Sequence, residues 1–154
     1  MDVLVLRQAA GGGHGGQGHW EVLCMRRAAG TRSPGTWETI HGHIMRGETA
    51  SAAAIRELRE ETGLVAERFY NLSRIDSFYI HRRDVVALIP VFCAFVAAGS
   101  DVRLSSEHDA YEWLAPNEAS RRFAWPREAR ALADALALVG SGSAGGLEDV
   151  LRVQ

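Results

Sequence analysis

The sequence predicts a mixed α/β domain, and three observations lead there. Short apolar runs with strand-like patterning stand on both sides of one alanine-rich helical segment, and further helical periodicity closes the chain. At 154 residues and 47% hydrophobic content, the chain is long enough for one domain with a proper core. Strands and helices do not alternate regularly, which argues against a succession of parallel β-α-β units.

Taken in order, Val3 to Arg7 is the first expected strand. Gly11, Gly12, Gly13, Gly15, Gly16 and Gly18 follow as a mobile hairpin connection; it lacks the Lys-Ser/Thr of a P-loop, and His14 within it is expected in solvent. Trp20 to Arg27 alternates as a half-buried strand, with Cys24 in it. Ser33-Pro34-Gly35 marks a turn, and Trp37 to Ile40 a short strand entering a glycine loop at Gly42 and Gly47, two residues suited to unusual backbone angles.

A helix is expected from Thr49 to Gly63, where glycine suits a left-handed end. Ser51, Ile55, Leu58 and Thr62 recur at the spacing of a core stripe. Glu57, Glu60 and Glu61 lie at i, i+3 and i+4, so like charges crowd one another. Glu60 and Glu61 also occupy the last turn, where the helix dipole favours cations. Stability alone does not select that pattern, whereas a hard divalent cation taking carboxylate oxygens would.

Phe69 to Ser77 and Val85 to Ala97 read as longer strands joined by His81-Arg82-Arg83-Asp84, with Pro90 implying an edge or a bulge. Asp101 to Glu107 is loop-like, Tyr111 to Leu114 a last strand, and Asn117 to Arg122 a short helix. Pro126 opens a final helix whose stripe of Ala129, Leu132, Leu136 and Val139 ends at Gly140. Trp113 and Trp125 are assigned to the core. Residues 1–139 are expected as one domain and 140–154 as a flexible Gly/Ser linker and tail, with the docking of Leu147 to Gln154 left open.

From Gly42 to Leu64 the chain resembles the Nudix box, G-x5-E-x7-R-E-U-x-E-E-x-G-U with U aliphatic. Gly42, Glu48, Arg56, Glu57, Leu58, Glu60, Glu61, Gly63 and Leu64 fill every specified position. The resemblance implies the Nudix α/β/α sandwich around a mixed sheet. It also implies Mg²⁺- or Mn²⁺-dependent hydrolysis of a nucleoside diphosphate linked to another group. Glu57, Glu60 and Glu61 would then supply metal sites and a general base, with Glu57 and Glu61 the first choice as ligands and the base either Glu57 or Glu60. Arg56 would pair with Glu48 and hold the loop to the helix, and the backbone carbonyl of His41 or Gly42 is a further candidate ligand. Where many members of the family read Pro-Gly-Gly, this chain has His41-Gly42-His43, expected as loop and strand residues with ordinary solvation.

Outside the box, Gly35 to Thr39, Ser105 to Leu114 and Trp125-Pro126 look like the dATP and dihydroneopterin triphosphate pyrophosphohydrolase branch. By that likeness Glu107 would be a further metal ligand, and Arg27 and Trp37 would meet phosphate and base. The leading function is therefore a pyrophosphohydrolase releasing a monophosphate and pyrophosphate from a nucleoside triphosphate-like substrate. Diadenosine polyphosphate hydrolysis is the alternative among enzymes; Tyr79 lies near a tyrosine typical of that group. A binding module without turnover would go with degenerate box positions, and none here is degenerate.

A net charge of −2 and a pI near 6.3 give no pull towards nucleic acid or anionic membrane, so a small nucleotide or polyphosphate is the expected partner, bound by a monomer or homodimer. All 17 basic residues are arginine, which suits bidentate phosphate binding. Cys24 and Cys93 sit in apolar runs as buried thiols, with no disulfide framework or zinc spacing. No targeting or membrane-spanning segment is visible, and the cytoplasm is the expected location.

Overall fold

Val3, Leu4, Val5 and Leu6 are all buried, so the first strand is covered on both faces and must lie inside the sheet. A computed structural model describes residues 1–9 and 20–154. The glycine-rich stretch read as a hairpin connection, with His14, lies outside the described residues. Strand β1 (Asp2–Gln8) runs parallel to β6 (Val85–Phe95) on one side. On the other side it pairs antiparallel with β2 (Trp20–Arg27), which in turn pairs with β7 (His108–Leu114). β5 (Arg68–Ile80) pairs antiparallel with β6 and ends the sheet.

Helices cover both faces. Leu4, Leu6, Val22 and Cys24 point towards α2 (Pro116–Arg122) and α3 (Pro126–Val139), packing with Ala119, Leu132 and Ala135. Val3, Val5, Leu23 and Met25 point the opposite way, onto Ala53, Ala54 and Leu58 of α1 (Ala50–Thr62). The arrangement is an α/β/α sandwich on a mixed sheet. Trp113 packs partly buried against the α1-side core, and Trp125 meets Phe78 edge-on with ring centroids 5.6 Å apart. Among the described residues no helix is long and apolar enough to cross a membrane. Cys24 and Cys93 are buried free thiols; burial pushes the Cys24 thiol up to about 12.

The expected strand Trp37 to Ile40 is two short ones, because the sheet forks there. β1 and β2 pair only at Leu6 to Gln8 and then diverge. β3 (Trp37–Glu38) follows β2, and β4 (Ile40–His41) follows β1. Thr39 crosses between them, its amide donating to Glu128 Oε1 of α3 at 3.0 Å and its hydroxyl to the Val3 carbonyl. The chain leaves this fork directly into Gly42.

The structure bears on three other expectations. Pro90, expected at an edge or a bulge, lies where β1 no longer reaches, so β6 is a free edge on that side there. The buried face of α1 is Ala53, Ala54, Leu58, Glu61 and Thr62, while Ser51 and Ile55 are only half-buried. The C-terminal segment, whose docking the sequence leaves open, runs back onto β5. Helix α4 (Glu148–Leu151) buries Leu151, Glu148 accepts from the Tyr70 hydroxyl at 2.9 Å, and the Val153 amide donates to the Phe69 carbonyl at 2.7 Å.

Candidate active site

Helix α1 is fixed at both ends by its own sequence. The Thr49 side chain accepts from the Ala52 amide at 3.2 Å, and Gly63 takes φ 70°, its amide returning to the Arg59 carbonyl at 2.9 Å. The carbonyls of Glu61 and Thr62 would otherwise end unpaired. They accept from the amides of Ser105 (3.0 Å) and Arg103 (2.8 Å), which draws the 101–107 loop alongside the helix and brings Glu107 to its C-terminal end.

The three helix glutamates are not equivalent. At 3.6 residues per turn, Glu57 and Glu61 lie about 40° apart around the axis, and Glu60 about 100° from Glu61. Glu61 is buried and Glu57 nearly so, with its side chain 15% exposed, whereas the Glu60 side chain is 57% exposed. Glu57 lies against the Gly42 backbone: a Cβ built on Gly42 would stand 2.5 Å from its Cδ and 2.7 Å from its Oε1. Gly42 does not take a positive φ, unlike Gly47 at 85°; what its position requires is closeness, not an unusual backbone angle.

Arg56 binds the loop to the helix. Its Nε and Nη2 fork onto the two oxygens of Glu48, each at 3.0 Å; Nη2 also donates to the His43 carbonyl at 2.9 Å. Nη1 reaches Glu57 at 2.9 Å and Glu60 at 3.0 Å. The paired guanidinium holds the Glu48 carboxyl below the usual carboxylate range.

A chain of buried polar groups leads from the sheet to Glu61, and the sequence did not announce it. Glu38, at 3% exposed, accepts from Arg27 Nη1 at 2.7 Å and lies 3.3 Å from His108 Nε2. The other ring nitrogen of His108 stands 3.7 Å from Glu61 Oε2. Burial would raise the Glu38 pKa, but His108, His41 and Arg27 together hold it below its ordinary value. His41 lies between Asp2 (2.7 Å) and Glu128 (3.0 Å). Burial opposes its charge, yet those carboxylates raise its pKa to about 10. Its solvation is therefore far from ordinary, because β4 sets it inside the fork; His43, by contrast, is exposed. The available signal was a glutamate inside an apolar strand segment, which needs a buried partner.

Arg27 also faces Glu107 at 3.6 Å, so Glu57, Glu61, Glu107 and Arg27 share one region. Trp37 lies elsewhere, packed against the α2-side core with the Arg122 guanidinium 4.7 Å above its ring.

Among the described residues, no three histidine, cysteine, aspartate or glutamate side chains converge into a closed metal centre. The groups that do lie together nevertheless fit a hard divalent cation. Glu61 Oε2 is buried with no hydrogen-bond partner. Burial, then the carboxylates of Glu57 and Glu107, raise the Glu61 pKa to about 8. A site that resists a negative charge yet is built of oxygen donors is completed by a positive ion.

This gives a pH signature. The folded chain holds the Glu61 proton more tightly than the unfolded chain, whose pKa is near 4.5, so acid favours the fold at this residue. That advantage is complete below about pH 4.5 and is lost as the pH rises to about 8. The melting temperature of cation-free protein is expected to fall more steeply over this window than that of Glu61→Gln. Mg²⁺ should raise it more near the top of the window than near the bottom, because the ion displaces the proton. Parallel melting curves for parent and variant would contradict the assignment.

Compared with known proteins, residues 3–135 match the family model described as the NUDIX domain. Mouse bis(5′-nucleosyl)-tetraphosphatase (asymmetrical) is 35% identical over 88 residues, which are 54% of this chain and 58% of that protein. The C. elegans Ap4A hydrolase in a binary complex superposes with a TM-score of 0.70 at 22% identity, covering 90% of this chain and 94% of that one. The E. coli dihydroneopterin triphosphate pyrophosphohydrolase gives a TM-score of 0.63 at 22% identity, covering 85% and 90%. At that identity the two structures speak for the fold alone. The chain spans between about a quarter and three-fifths of the length of several curated relatives it matches.

Proposed function

The chain belongs to the NUDIX domain family, and from that premise we propose that it is a divalent-cation-dependent hydrolase of nucleoside polyphosphates, cleaving a triphosphate-like substrate to a monophosphate and pyrophosphate. The observation that carries this reading is the Glu57–Glu61 pair beside Gly42, with a Glu61 oxygen buried and unpartnered. Glu57, Glu61 and Glu107 would hold the ion, with Glu60 able to join them if it leaves Arg56. A bound Mg²⁺ or Mn²⁺ would neutralise phosphate charge and make a water easier to deprotonate. Water oxygen bonds to phosphorus as the bridging P–O bond breaks, and a carboxylate takes the proton. Both glutamates pair with Arg56, but Glu57 is the one enclosed beside Glu61 and Gly42, so it is better placed for that than the exposed Glu60. Arg27, its side chain 16% exposed beside Glu107, would meet phosphate charge. Trp37, on the other side of the sheet, is assigned to the core. Arg56 and Glu48 position the loop and do not touch substrate.

A second reading, hydrolysis of dinucleoside polyphosphates, is favoured by the 35% identity to the mouse tetraphosphatase. Turnover of deoxynucleoside triphosphates, dihydroneopterin triphosphate, dinucleoside polyphosphates and nucleotide sugars with Mg²⁺, with products identified, separates the two. Pyrophosphate and a monophosphate from a triphosphate are expected. Preferred cleavage of dinucleoside polyphosphates would select the second reading, and orthophosphate as the only small product would exclude the first.

A further inference from the structure

One face of the β5–β6 hairpin has no partner within the described chain. Past a register shift between Asn71 and Arg74, Arg74 pairs with Asp134 of α3 and Phe78 packs on Trp125, so Arg74, Asp76 and Phe78 face α3. Ile75, Ser77 and Tyr79 point the other way, with Pro90, Leu88 and Val86 directly opposite them across the ladder. Ile75, Tyr79, Val86 and Leu88 are between 58% and 69% exposed. The outer edge of this face is also open. β5 ends the sheet, and the C-terminal segment covers only its start, where Tyr70 bridges Arg152 and Phe69 bonds Val153 and Gln154. From Ser73 to Ile80 no strand pairs with that edge among the described residues. An apolar, unpaired edge of that length is a site of association.

We propose that this edge docks a second copy of the chain, the two β5 strands pairing antiparallel across a twofold axis at Ser77. Directly opposite residues of an antiparallel pair share a face, which restricts the possible registers. The axis at Ser77 sets Ile75 opposite Tyr79 of the second copy, twice, on the exposed apolar face. A β-branched residue facing an aromatic is a favourable cross-strand pair, and the small Ser77 faces itself at the centre. An axis one residue earlier would set Asp76 opposite its own copy, with like charges in direct opposition, and one residue later would set Tyr79 opposite Ser77 and lose the Ile75–Tyr79 pair.

The ends of the free run fit the same arrangement. Past Ile80 the chain turns, and the hairpin tip with Arg82 and Arg83 runs towards the bulged start of β5 of the other copy, near Asn71. There the Asn71 side chain holds the carbonyls of Val150 and Leu151, so the tip arrives against α4. Asp149 of that helix is exposed and has no ion-pair partner among the described residues, and the same is true of Arg82 and Arg83; Glu148 is already held by Arg152. A basic tip therefore meets an acidic helix twice, as an isologous interface requires. A strand from a different protein would need no such reciprocity.

Sedimentation equilibrium of the full chain tests this, with circular dichroism and melting to confirm folding. A dimer is expected, and Ile75→Lys should raise its dissociation constant about tenfold or more. Leu88→Lys serves as the second variant should Ile75→Lys misfold. Arg82→Glu and Asp149→Arg should each weaken the dimer by about threefold, and the double variant should recover most of the loss. A chain that stays monomeric to about 100 μM overturns the proposal, since a standard interface holds well below that. So does a dimer indifferent to these four substitutions, or one in which the charge reversals do not compensate. A monomer whose Ile75→Lys variant loses nucleotide affinity would instead assign the face to substrate.

Discussion

Glutamine at Glu61 or Glu57 is expected to lower turnover by about two to three orders of magnitude while the fold survives. The change removes one negative charge and almost no volume. Glu61 is poorly placed to carry a charge: burial and two neighbouring carboxylates push its pKa to about 8, and one of its oxygens has no partner. Either a proton or a cation relieves that arrangement, so a neutral amide should ease the strain and, on the proposed reading, remove the cation site with it. Turnover at saturating Mg²⁺ and melting temperature without cation should move in opposite directions for Glu61→Gln. Glu107→Gln should be milder, because that side chain is 56% exposed at the loop rim. Parent-like turnover in both helix variants would end the proposed assignment.

The second large effect is expected from a single methyl group. In Gly42→Ala the new Cβ would stand 2.5 Å from Glu57 Cδ, so the carboxylate must swing away or the loop must lift. A displacement of about 1 Å at a reacting group can cost about a hundredfold in rate. Overpacking of this kind costs about 1–3 kcal/mol in stability. Gly47→Ala is the control. It carries the backbone strain of φ 85°, about 1–2 kcal/mol, but nothing lies within 4 Å of the new atom, so its turnover should stay near that of the parent. Equal losses of turnover in the two variants would mean that Gly42 acts through its backbone after all.

The part of the site written in one local segment is legible in the amino-acid sequence. A helix is a short-range object, so Thr49, the glutamate spacing and Gly63 can be placed by counting along the chain. Counting also misleads, because the core stripe drawn through Ser51 and Ile55 overlooks the alanines and leaves no room for Glu61 on the buried side. What the sequence hides is set by distant pairing. Glu38 and His108 are 70 residues apart and Thr39 and Glu128 are 89 apart, and no periodicity within either segment reports the other. His41 looks like an ordinary loop residue for the same reason, since its two carboxylates come from β1 and α3. Trp37 and Arg27 are grouped by likeness of sequence, whereas the pleat sends them to opposite sides of the sheet.

The fork between β1 and β2 also bears on how the chain folds. Its filling segment is held by Val3 from 36 residues behind and by Glu128 from 89 residues ahead. Helix α1 can begin to coil by itself and Arg56 can clamp Glu48 close by in sequence, but the fork from which the Gly42 loop starts has no such local support. Contacts of long sequence separation form late, because the entropy of closing the intervening chain is lost before they repay it. The carboxylates of the helix therefore stand in the nascent protein as an ordinary acidic surface. Arg56 can draw the loop near them early, whereas the seating of Gly42 against Glu57 waits on the distant partners of the fork.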